Sequence, residues 1–420
     1  MDEERAMVLR MLKEGKISVE EADALLQELA DQPTAGEPAR AAGGPAASAE
    51  ARASAESGSE LREELRDVFH ELMESIPGDV RRELHRARDV IRPSFREVLR
   101  GLSGLAEGRA ETSAEQPIRA GDTLDLRQAW GDVRLRAEGD GPMRLRAVRR
   151  VWSSTSEEAQ RAAERLPVEI RRDGTTVFIQ VPRLEARRVR VDFEITVPKG
   201  VMARIDVAKG DVRVEGVAGA DLHITRGDVE VSAVEGPLSA DVVSGDLQIR
   251  GVAGDVRLDV RSGDIAAREV RGRLEGRIVS GDVAGTDCGG VALDIINGDV
   301  AISGASGPVA VTTKSGDVAL AGVRSTDVRV RTLSGDVAVS LLELAQGSIV
   351  IETVSGDIKL AVPPDGRGSI DAATRSGDIS TAVPLAEQTT GFRSLRGVLG
   401  GPGASVRLHA TSGDIRIVGR

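Results

Sequence analysis

The residues of this chain most able to do chemistry are aspartates that recur at a nearly constant spacing. Each of them follows a glycine and precedes an apolar residue, and neighbouring members lie 17 to 21 residues apart except for a last gap of 36. Clustered carboxylates can bind Ca²⁺, act as an acid–base pair, or accept hydrogen bonds in turns. The series is Asp211, Asp228, Asp246, Asp264, Asp282, Asp299, Asp317, Asp336, Asp357, Asp378 and Asp414.

A calcium ladder is the metal-binding interpretation of this series. Its ligands would be Asp246, Asp264, Asp282, Asp299, Asp317 and Asp336. Calcium-binding repeats of the form Gly-Gly-x-Gly-x-Asp-x-apolar-x are known. This chain instead has glycine directly before the aspartate, lacks the first glycine pair and repeats at about twice that period. We therefore favour a structural turn, and we expect no catalytic residue and no cofactor.

In the structural interpretation the Gly-Asp step is the turn of a repeated unit. Glycine adopts a positive φ without steric cost, and Ser or Asp side chains can bond nearby backbone N–H groups. We expect each carboxylate to accept N–H or Ser O–H bonds from its own coil or the next. The turn glycines are Gly245, Gly263, Gly281, Gly298, Gly316, Gly335, Gly356, Gly377 and Gly413.

The period near 18 residues predicts the fold that positions these turns. Each period contains two short runs with alternating apolar residues, such as Val300/Ile302 and Val309/Val311, and this alternation is typical of strands with one buried face. The sequence therefore predicts a mainly β chain, a stacked-coil β-solenoid of about 18 residues per coil, preceded by α-helical N-terminal segments. The gap of 36 predicts one degenerate coil between Asp378 and Asp414.

The last coil is predicted to begin at Ser405. Its Arg407, Arg416 and Arg420 would discourage strand addition at that end of the rod.

The rest of the chain divides by composition and periodicity. Because about thirty residues cannot build an adequate core alone, we expect the first segment to associate with another copy or a partner. A short helix is predicted from Ser156 to Leu166. The predicted domains are a helical hairpin at 1–31, a disordered linker at 32–57, an amphipathic helix or helical hairpin at 58–110, a β-rich N-terminal cap at 117–200 and the solenoid at 201–420.

Composition excludes several functional classes. The formal charge of −11 argues against a nucleic-acid partner. No run of eighteen apolar residues and no secretory signal is visible, so the sequence predicts a cytoplasmic chain, with a membrane-peripheral position as the alternative. Cys288 is the single cysteine, which excludes an intrachain disulfide. We interpret it as a small turn or core residue.

The repeated Ser-Gly-Asp-[Val/Ile/Leu], the entry Val197-Pro198-x-Gly200 and the closing Thr411-Ser-Gly-Asp-Ile resemble the bacterial "putative adhesin" family of β-strand repeats, a domain of unknown function, over residues 117 to 420. The stretch from Leu12 to Leu26 is similar to the short helical domain that precedes this repeat in YvlB/LiaX-like proteins. The resemblance implies a link to bacterial cell-envelope stress. It supplies no catalytic residues.

The favoured function is a non-enzymatic scaffold, with protein partners or self-association through residues 1–110 and an envelope component on the solenoid. The alternatives are a polymerising solenoid similar to bactofilins, or a surface adhesin with calcium-stabilised repeats. A polysaccharide-active enzyme would need paired carboxylates in a groove. No nucleophile set is visible, since His223, His409 and Cys288 lie in unrelated coils, and Trp130 and Trp152 are predicted to lie outside the regular rod.

Overall fold

The computed structural model describes residues 106–182 and 188–420. These residues form strands and one helix, which confirms the expectation of a mainly β chain. The helical segments expected before residue 106 lie outside the described residues. The strands before the regular repeat are β1 (Ala106–Gln116), β2 (Thr123–Trp130), β3 (Val133–Ala137), β4 (Met143–Ser153), β5 (Glu169–Asp173), β6 (Thr176–Gln180) and β7 (Arg188–Val197), with helix α1 (Ser156–Arg165) between β4 and β5.

The remaining strands carry the repeat. They are β8 (Met202–Lys209), β9 (Val212–Glu215), β10 (Gly219–Arg226), β11 (Val229–Val234), β12 (Leu238–Ser244), β13 (Leu247–Val252), β14 (Val256–Ser262), β15 (Ile265–Ser280), β16 (Val283–Asn297), β17 (Val300–Ser303), β18 (Val309–Ser315), β19 (Val318–Val323), β20 (Asp327–Ser334), β21 (Val337–Leu341), β22 (Ser348–Ser355), β23 (Ile358–Val362), β24 (Gly368–Ser376), β25 (Ile379–Thr381), β26 (Ala386–Gly391), β27 (Ser394–Leu399), β28 (Ala404–Ser412) and β29 (Ile415–Gly419).

Each coil contributes one strand to each of two parallel ladders. We call the ladder made by the strand before the Gly-Asp turn the first ladder, and the one made by the strand after it the second ladder. In the first ladder Val291 lies beside Val309 and Val309 beside Val328. In the second, Val300 lies beside Val318. Because the coils keep this register, like residues stack on like residues about 4.8 Å apart.

The core lies between the two ladders and is almost wholly aliphatic. Alternate residues of each strand point inward, as in Val300-Ala-Ile302, where the two branched residues are buried and the alanine between them is exposed. The inward residues of all the coils form one continuous cluster. Branched side chains pack well on a pleated surface, so short strands suffice when each coil covers the next.

The stacking order departs from the chain order near residue 123. Strands β2 and β3 pair with β8 and β9 on one side and with β6 and β7 on the other, all in parallel. The coil β2/β3 is therefore inserted between β6/β7 and β8/β9. Beyond it, antiparallel strands cover the edges of the stack, since β5 pairs with β6, β4 with β7, and β1 with β4.

The same departure occurs at the other end and corrects the sequence interpretation. The coil β28/β29, predicted to be the last, pairs with β22/β23 on one side and with β24/β25 on the other. There is no degenerate coil between Asp378 and Asp414. The intervening residues form the antiparallel hairpin β26–β27, and β27 pairs with β24. Arg407, Arg416 and Arg420 thus belong to an inner coil and do not protect the end of the stack.

Helix α1 packs against β1 and β4 and confirms the helix expected from Ser156. Thr155 caps it by accepting the Glu158 N–H at 3.3 Å. Gly108 of β1 lies so close that a Cβ there would be 2.1 Å from the Ala159 carbonyl carbon. Strand β1 also takes residues 106–110, which the sequence interpretation assigned to the end of a helical segment. That part of the prediction is wrong, because β1 pairs along its whole length with β4.

Candidate interaction surfaces

The repeated aspartates form one continuous column along an edge of the coil stack. The Asp299 N–H donates to Asp282 Oδ1 at 2.8 Å, and the Asp317 N–H donates to Asp299 Oδ1 at 2.7 Å. The same bond recurs from coil to coil along the series, with lengths from 2.7 to 3.2 Å. Ten of the eleven carboxylates of the series therefore satisfy the backbone donor that the next turn leaves unpaired, and Asp378 stands at the end of the column.

The glycine before each aspartate is fixed by both conformation and space. Gly298 has φ +146°, and a Cβ built on it would lie 2.0 Å from the carbonyl oxygen of Gly281 in the preceding coil. No side chain fits at that distance, and few residues other than glycine adopt such a φ. The nine predicted turn glycines all share this arrangement, with φ between +139° and +146°.

The column extends further than the sequence interpretation predicted. The Asp211 N–H donates to Asp132 Oδ1 at 3.2 Å, and the Asp132 N–H donates to Asp192 Oδ1 at 3.0 Å. Asp132 stands in Gly131-Asp132-Val133, the repeated triplet, so the signal for it was present. Asp192 follows Val191 and has no glycine before it, so no sequence signal marks it.

At this end of the column, arginines replace the next coil. The Arg190 guanidinium contacts Asp132 at 2.6 Å and Asp192 at 2.8 Å, and Arg150 contacts Asp192 at 3.2 Å. Charge-assisted bonds of this kind satisfy carboxylates that no further coil covers. At the other end of the column the aspartates do not follow the order of the chain, because Asp414 lies between Asp357 and Asp378.

At each of the six aspartates of the predicted calcium ladder, a backbone N–H competes with calcium for the carboxylate, since Oδ1 already accepts that N–H. Among residues 106–182 and 188–420 no group of three or more His, Cys, Asp or Glu side chains is placed to hold a metal ion. Burial, in part opposed by the Asp299 N–H and reinforced by the charge of Asp264, raises the pKa of the Asp282 carboxyl. This carboxyl group is thus partly desolvated.

Cys288 is a core residue, which is one of the two positions, turn or core, that the sequence interpretation gave for it. It is buried, and burial together with the charge of Asp287 raises the pKa of its thiol to about 11. A thiol with so high a pKa is a poor nucleophile at neutral pH. His223 lies on the outer surface of the first ladder, where Nδ1 is 3.2 Å from Asp241 Oδ2.

The outer surface of the first ladder is charged. Ion pairs link neighbouring coils, such as Arg204 with Asp221 at 3.2 Å and Arg331 with Glu352 at 2.8 Å. Exposed pairs of this kind add little stability. A depression of about 520 Å³ on this surface is lined by a mixture of acidic, basic and small residues: Ser239, Ala240, Asp241, Arg257, Leu258, Asp259, Glu275, Gly276, Arg277, Ala292, Leu293, Asp294, Ala310 and Thr312.

The outer surface of the second ladder carries small residues along its middle. Five alanines follow one another in register from coil to coil: Ala266, Ala284, Ala301, Ala319 and Ala338. Of these, Ala284 and Ala301 are exposed, whereas Ala319 and Ala338 are buried. Polar and charged residues flank this stripe, with Gln248 and Arg250 in one neighbouring coil and Lys359 in the other. The two outer surfaces therefore differ in chemistry.

The two tryptophans form a stacked pair with ring centroids 5.5 Å apart. The Lys209 ammonium lies 5.1 Å from the centre of the Trp130 ring. Trp130 ends β2, which is a strand of the coil stack, so the prediction that both tryptophans lie outside the regular rod is wrong for Trp130. The insertion of the β2/β3 coil is the cause.

Stacked coils held together by a Gly-Asp column define a repeat-built, mainly β protein. Residues 179–284 and 252–418 match the family model described as Toastrack DUF4097. These matches span more than half of the 420 residues, and the chain belongs to this family. The resemblance to a family of β-strand repeats of unknown function is thereby confirmed. Residues 3–33, outside the described part, match the model of a SHOCT-like domain.

Two crystal structures are similar to this chain. One, of a "putative cell adhesion protein" from Clostridium sporogenes ATCC 15579, is 9% identical and covers 74% of this chain and 100% of its own, with a TM-score of 0.16. The other, of a "putative adhesin" from Bacteroides fragilis NCTC 9343, is 13% identical and covers 74% of this chain and 97% of its own, with a TM-score of 0.20. At such TM-scores neither likeness supports a conclusion about this chain.

No curated protein matches the chain. The described part of the chain contains no helix with both the length and the apolar character needed to cross a membrane.

Proposed function

We propose that this protein is a non-enzymatic interaction scaffold linked to bacterial cell-envelope stress. Its stacked coils form a β-solenoid that presents preformed binding surfaces, and residues 1–110 provide association with a partner or another copy. Membership in the Toastrack DUF4097 family supports an interaction role. The link to envelope stress rests on the resemblance of the N-terminal stretch to YvlB/LiaX-like proteins.

The observation that carries the proposal is that the aspartate column bonds neighbouring coils to each other. Ten of the eleven repeated aspartates accept a backbone N–H of the neighbouring coil, as Asp299 does from Asp317. They are therefore explained by coil-to-coil cohesion. Asp241 and Asp259 are register neighbours that share one exposed environment on the first ladder, whereas the two carboxyl groups of an acid–base pair have different environments.

Antiparallel strands over three of the four terminal strands favour a discrete scaffold over a polymer, and the uncovered strand, β25, is only three residues long. A polymer of the bactofilin type would stack the terminal coils of successive molecules, and this needs open strand edges. Here antiparallel strands cover the outer edges of β6, β7 and β24, with β5, β4 and β27 in those places. Electron microscopy of the purified full chain is therefore expected to show single particles and no filaments.

The proposal is tested in the bacterium that makes this protein. The full chain, with an affinity tag, is cross-linked in cells before and after treatment with a cell-wall-active antibiotic, and the linked proteins are identified by mass spectrometry. We expect a specific partner whose yield changes with treatment, together with altered survival of a deletion strain. Unchanged survival with no specific partner would refute the proposal, as would cleavage of envelope polysaccharide by the purified chain.

A further inference from the structure

The large apolar side chains that the described part of the chain exposes are gathered along one edge. They are Val279, Ile296, Leu333, Val354 and Phe392, with exposures of 43%, 38%, 54%, 47% and 93%. The first four each stand two residues before a turn glycine, and the residues that follow them are matched in register from coil to coil. Four large apolar residues therefore lie along one line of the coil stack.

Phe392 lies further along this edge, beyond two coils that carry Thr411 and Arg375 at the same position. It lies at the tip of the hairpin β26–β27, where the carbonyl of Arg393 accepts the Thr374 N–H at 3.1 Å. Thr374 lies three residues before the turn glycine Gly377, so the tip stands at the same edge as the other four residues. We call the five residues the apolar ridge.

The aspartate column runs beside the apolar ridge. In each coil the ladder aspartate follows three residues after the ridge position, as Asp282 follows Val279 and Asp336 follows Leu333. Cations on the ridge line are fewer: Lys314 occupies the coil between Ile296 and Leu333, and Arg375 and Arg393 lie near the hairpin tip. The edge therefore combines exposed apolar groups with a net negative charge.

This charge decides between possible occupants. A second copy of the ridge would cover the apolar groups but would bring two carboxylate columns together, and like charges in contact are unfavourable. An anionic lipid surface would meet the same repulsion. A helix with one apolar stripe flanked by lysine or arginine has the complementary charge, and its apolar side chains can lie along an exposed apolar line.

The spacing of the ridge also suits a helix. Successive turns of an α-helix rise about 5.4 Å, close to the ~4.8 Å between coils. Apolar side chains from successive helix turns can therefore contact successive ridge positions over several coils. About 18 helical residues, roughly 27 Å long, would span from Val279 past Val354.

We propose that the apolar ridge and the adjoining aspartate column form a docking edge for a cationic amphipathic helix of a partner protein. This inference rests on the proposed interaction function and names the chemistry of the partner. The apolar stripe of the helix contacts Leu333, Val354 and their neighbours. Its basic residues contact the carboxylates, while those carboxylates keep their backbone bonds through Oδ1.

The test uses the full chain and a synthetic peptide, about 18 residues long, of Leu/Lys amphipathic pattern with a fluorescent label. Fluorescence anisotropy is expected to show binding that weakens with added salt, because salt screens exposed charges. The double substitution Leu333→Ser and Val354→Ser should weaken binding at least tenfold. Both side chains are about half exposed, so the fold should tolerate the change. The matched control is Ala284→Ser with Ala301→Ser, two exposed positions on the second ladder, which should leave binding unchanged.

Further probes distinguish a cationic helix from other possible occupants of this edge. A Leu/Glu peptide of the same pattern should bind at least tenfold more weakly than the Leu/Lys peptide. Equal binding of the two peptides, or equal loss in both double variants, would overturn the proposal. So would ridge-dependent binding to phosphatidylcholine or phosphatidylglycerol vesicles without peptide binding, or a ridge-dependent dimer in sedimentation. If the peptide fails while cross-linking in cells still yields a specific partner, the docking edge is wrong and the scaffold function stands.

Discussion

Substitution of one turn glycine should break the contact between two coils. Gly298→Ala places a Cβ 2.0 Å from the Gly281 carbonyl oxygen, at a φ of +146°. The backbone strain costs about 1–3 kcal/mol. Relieving the overlap lengthens the bonds joining these coils, among them Asp299 N–H to Asp282 Oδ1 and Gly281 N–H to the Asn297 carbonyl, at about 1 kcal/mol each. We expect a total loss of roughly 3–5 kcal/mol in the free energy of unfolding.

Gly401→Ala is the matched control. Gly401 also has a positive φ, +119°, but a Cβ added there would meet nothing within 4 Å, so only the strain of about 1–3 kcal/mol remains. Urea unfolding followed by circular dichroism gives both free energies, and hydrogen exchange at the Asp299 amide shows whether the loss is local. Equal destabilisation by the two substitutions would show that close approach of the coils does not decide the choice of glycine.

Three further predictions concern the column and the stacking order. Asp299→Ala removes the acceptor of the Asp317 N–H and should cost about 1–3 kcal/mol, whereas Asp299→Asn keeps an oxygen there and should cost less; equal losses in urea unfolding would contradict the role given to the bond. The pKa of the Asp282 carboxyl is raised, so the folded chain holds the carboxyl proton more tightly than the unfolded chain does. The protonated carboxyl therefore stabilises the fold below the ordinary pKa of 3.8, and this stabilisation is lost as pH rises through the folded pKa. Asp282→Asn should therefore gain stability relative to the parent as the pH rises above 3.8 and through the folded pKa, and a difference independent of pH would refute this. The double variant Glu352→Cys with His409→Cys should form a disulfide under mild oxidation, because these residues are register neighbours and parallel neighbours lie within disulfide reach. The double variant Glu352→Cys with Ala373→Cys should form none. The reverse result would support a sequential order of the coils.

The repeating part of the fold could be predicted because each coil carries its own local signals. A glycine that needs a positive φ, an aspartate that bonds in the turn and two alternating apolar pairs occur in one period, as around Asp299 and Asp317. These signals depend on neighbours in sequence and survive without tertiary information. The same triplet at Gly131-Asp132-Val133 was missed because it lies outside the regular period, although the physical requirement there is identical.

The stacking order could not be predicted, because strand pairing between coils is a tertiary property. Asp192 enters the column without a glycine, and only the pairing of β7 with β3 brings it there. The gap between Asp378 and Asp414 fits two periods in length, so it suggested a degenerate coil. An antiparallel hairpin occupies this gap and leaves Phe392 exposed at its tip. A residue at a hairpin tip does not recur at a regular spacing, so the repeat could not predict it.

The inverted coil order at the C-terminal end has a consequence for synthesis on the ribosome. Strands β24 and β25 leave the ribosome before β28 and β29, yet in the finished protein they pair with β28 and β29 and not with the coil made just before them. The strand edges that receive β24/β25 do not exist until β28 and β29 have emerged. The growing chain can add coils one after another up to β22/β23, but the segment from Gly368 reaches its final pairing only once β28/β29 are available. Loss of β28/β29 would leave β24/β25 without the strands that they pair with, so these C-terminal coils should form as one cooperative unit.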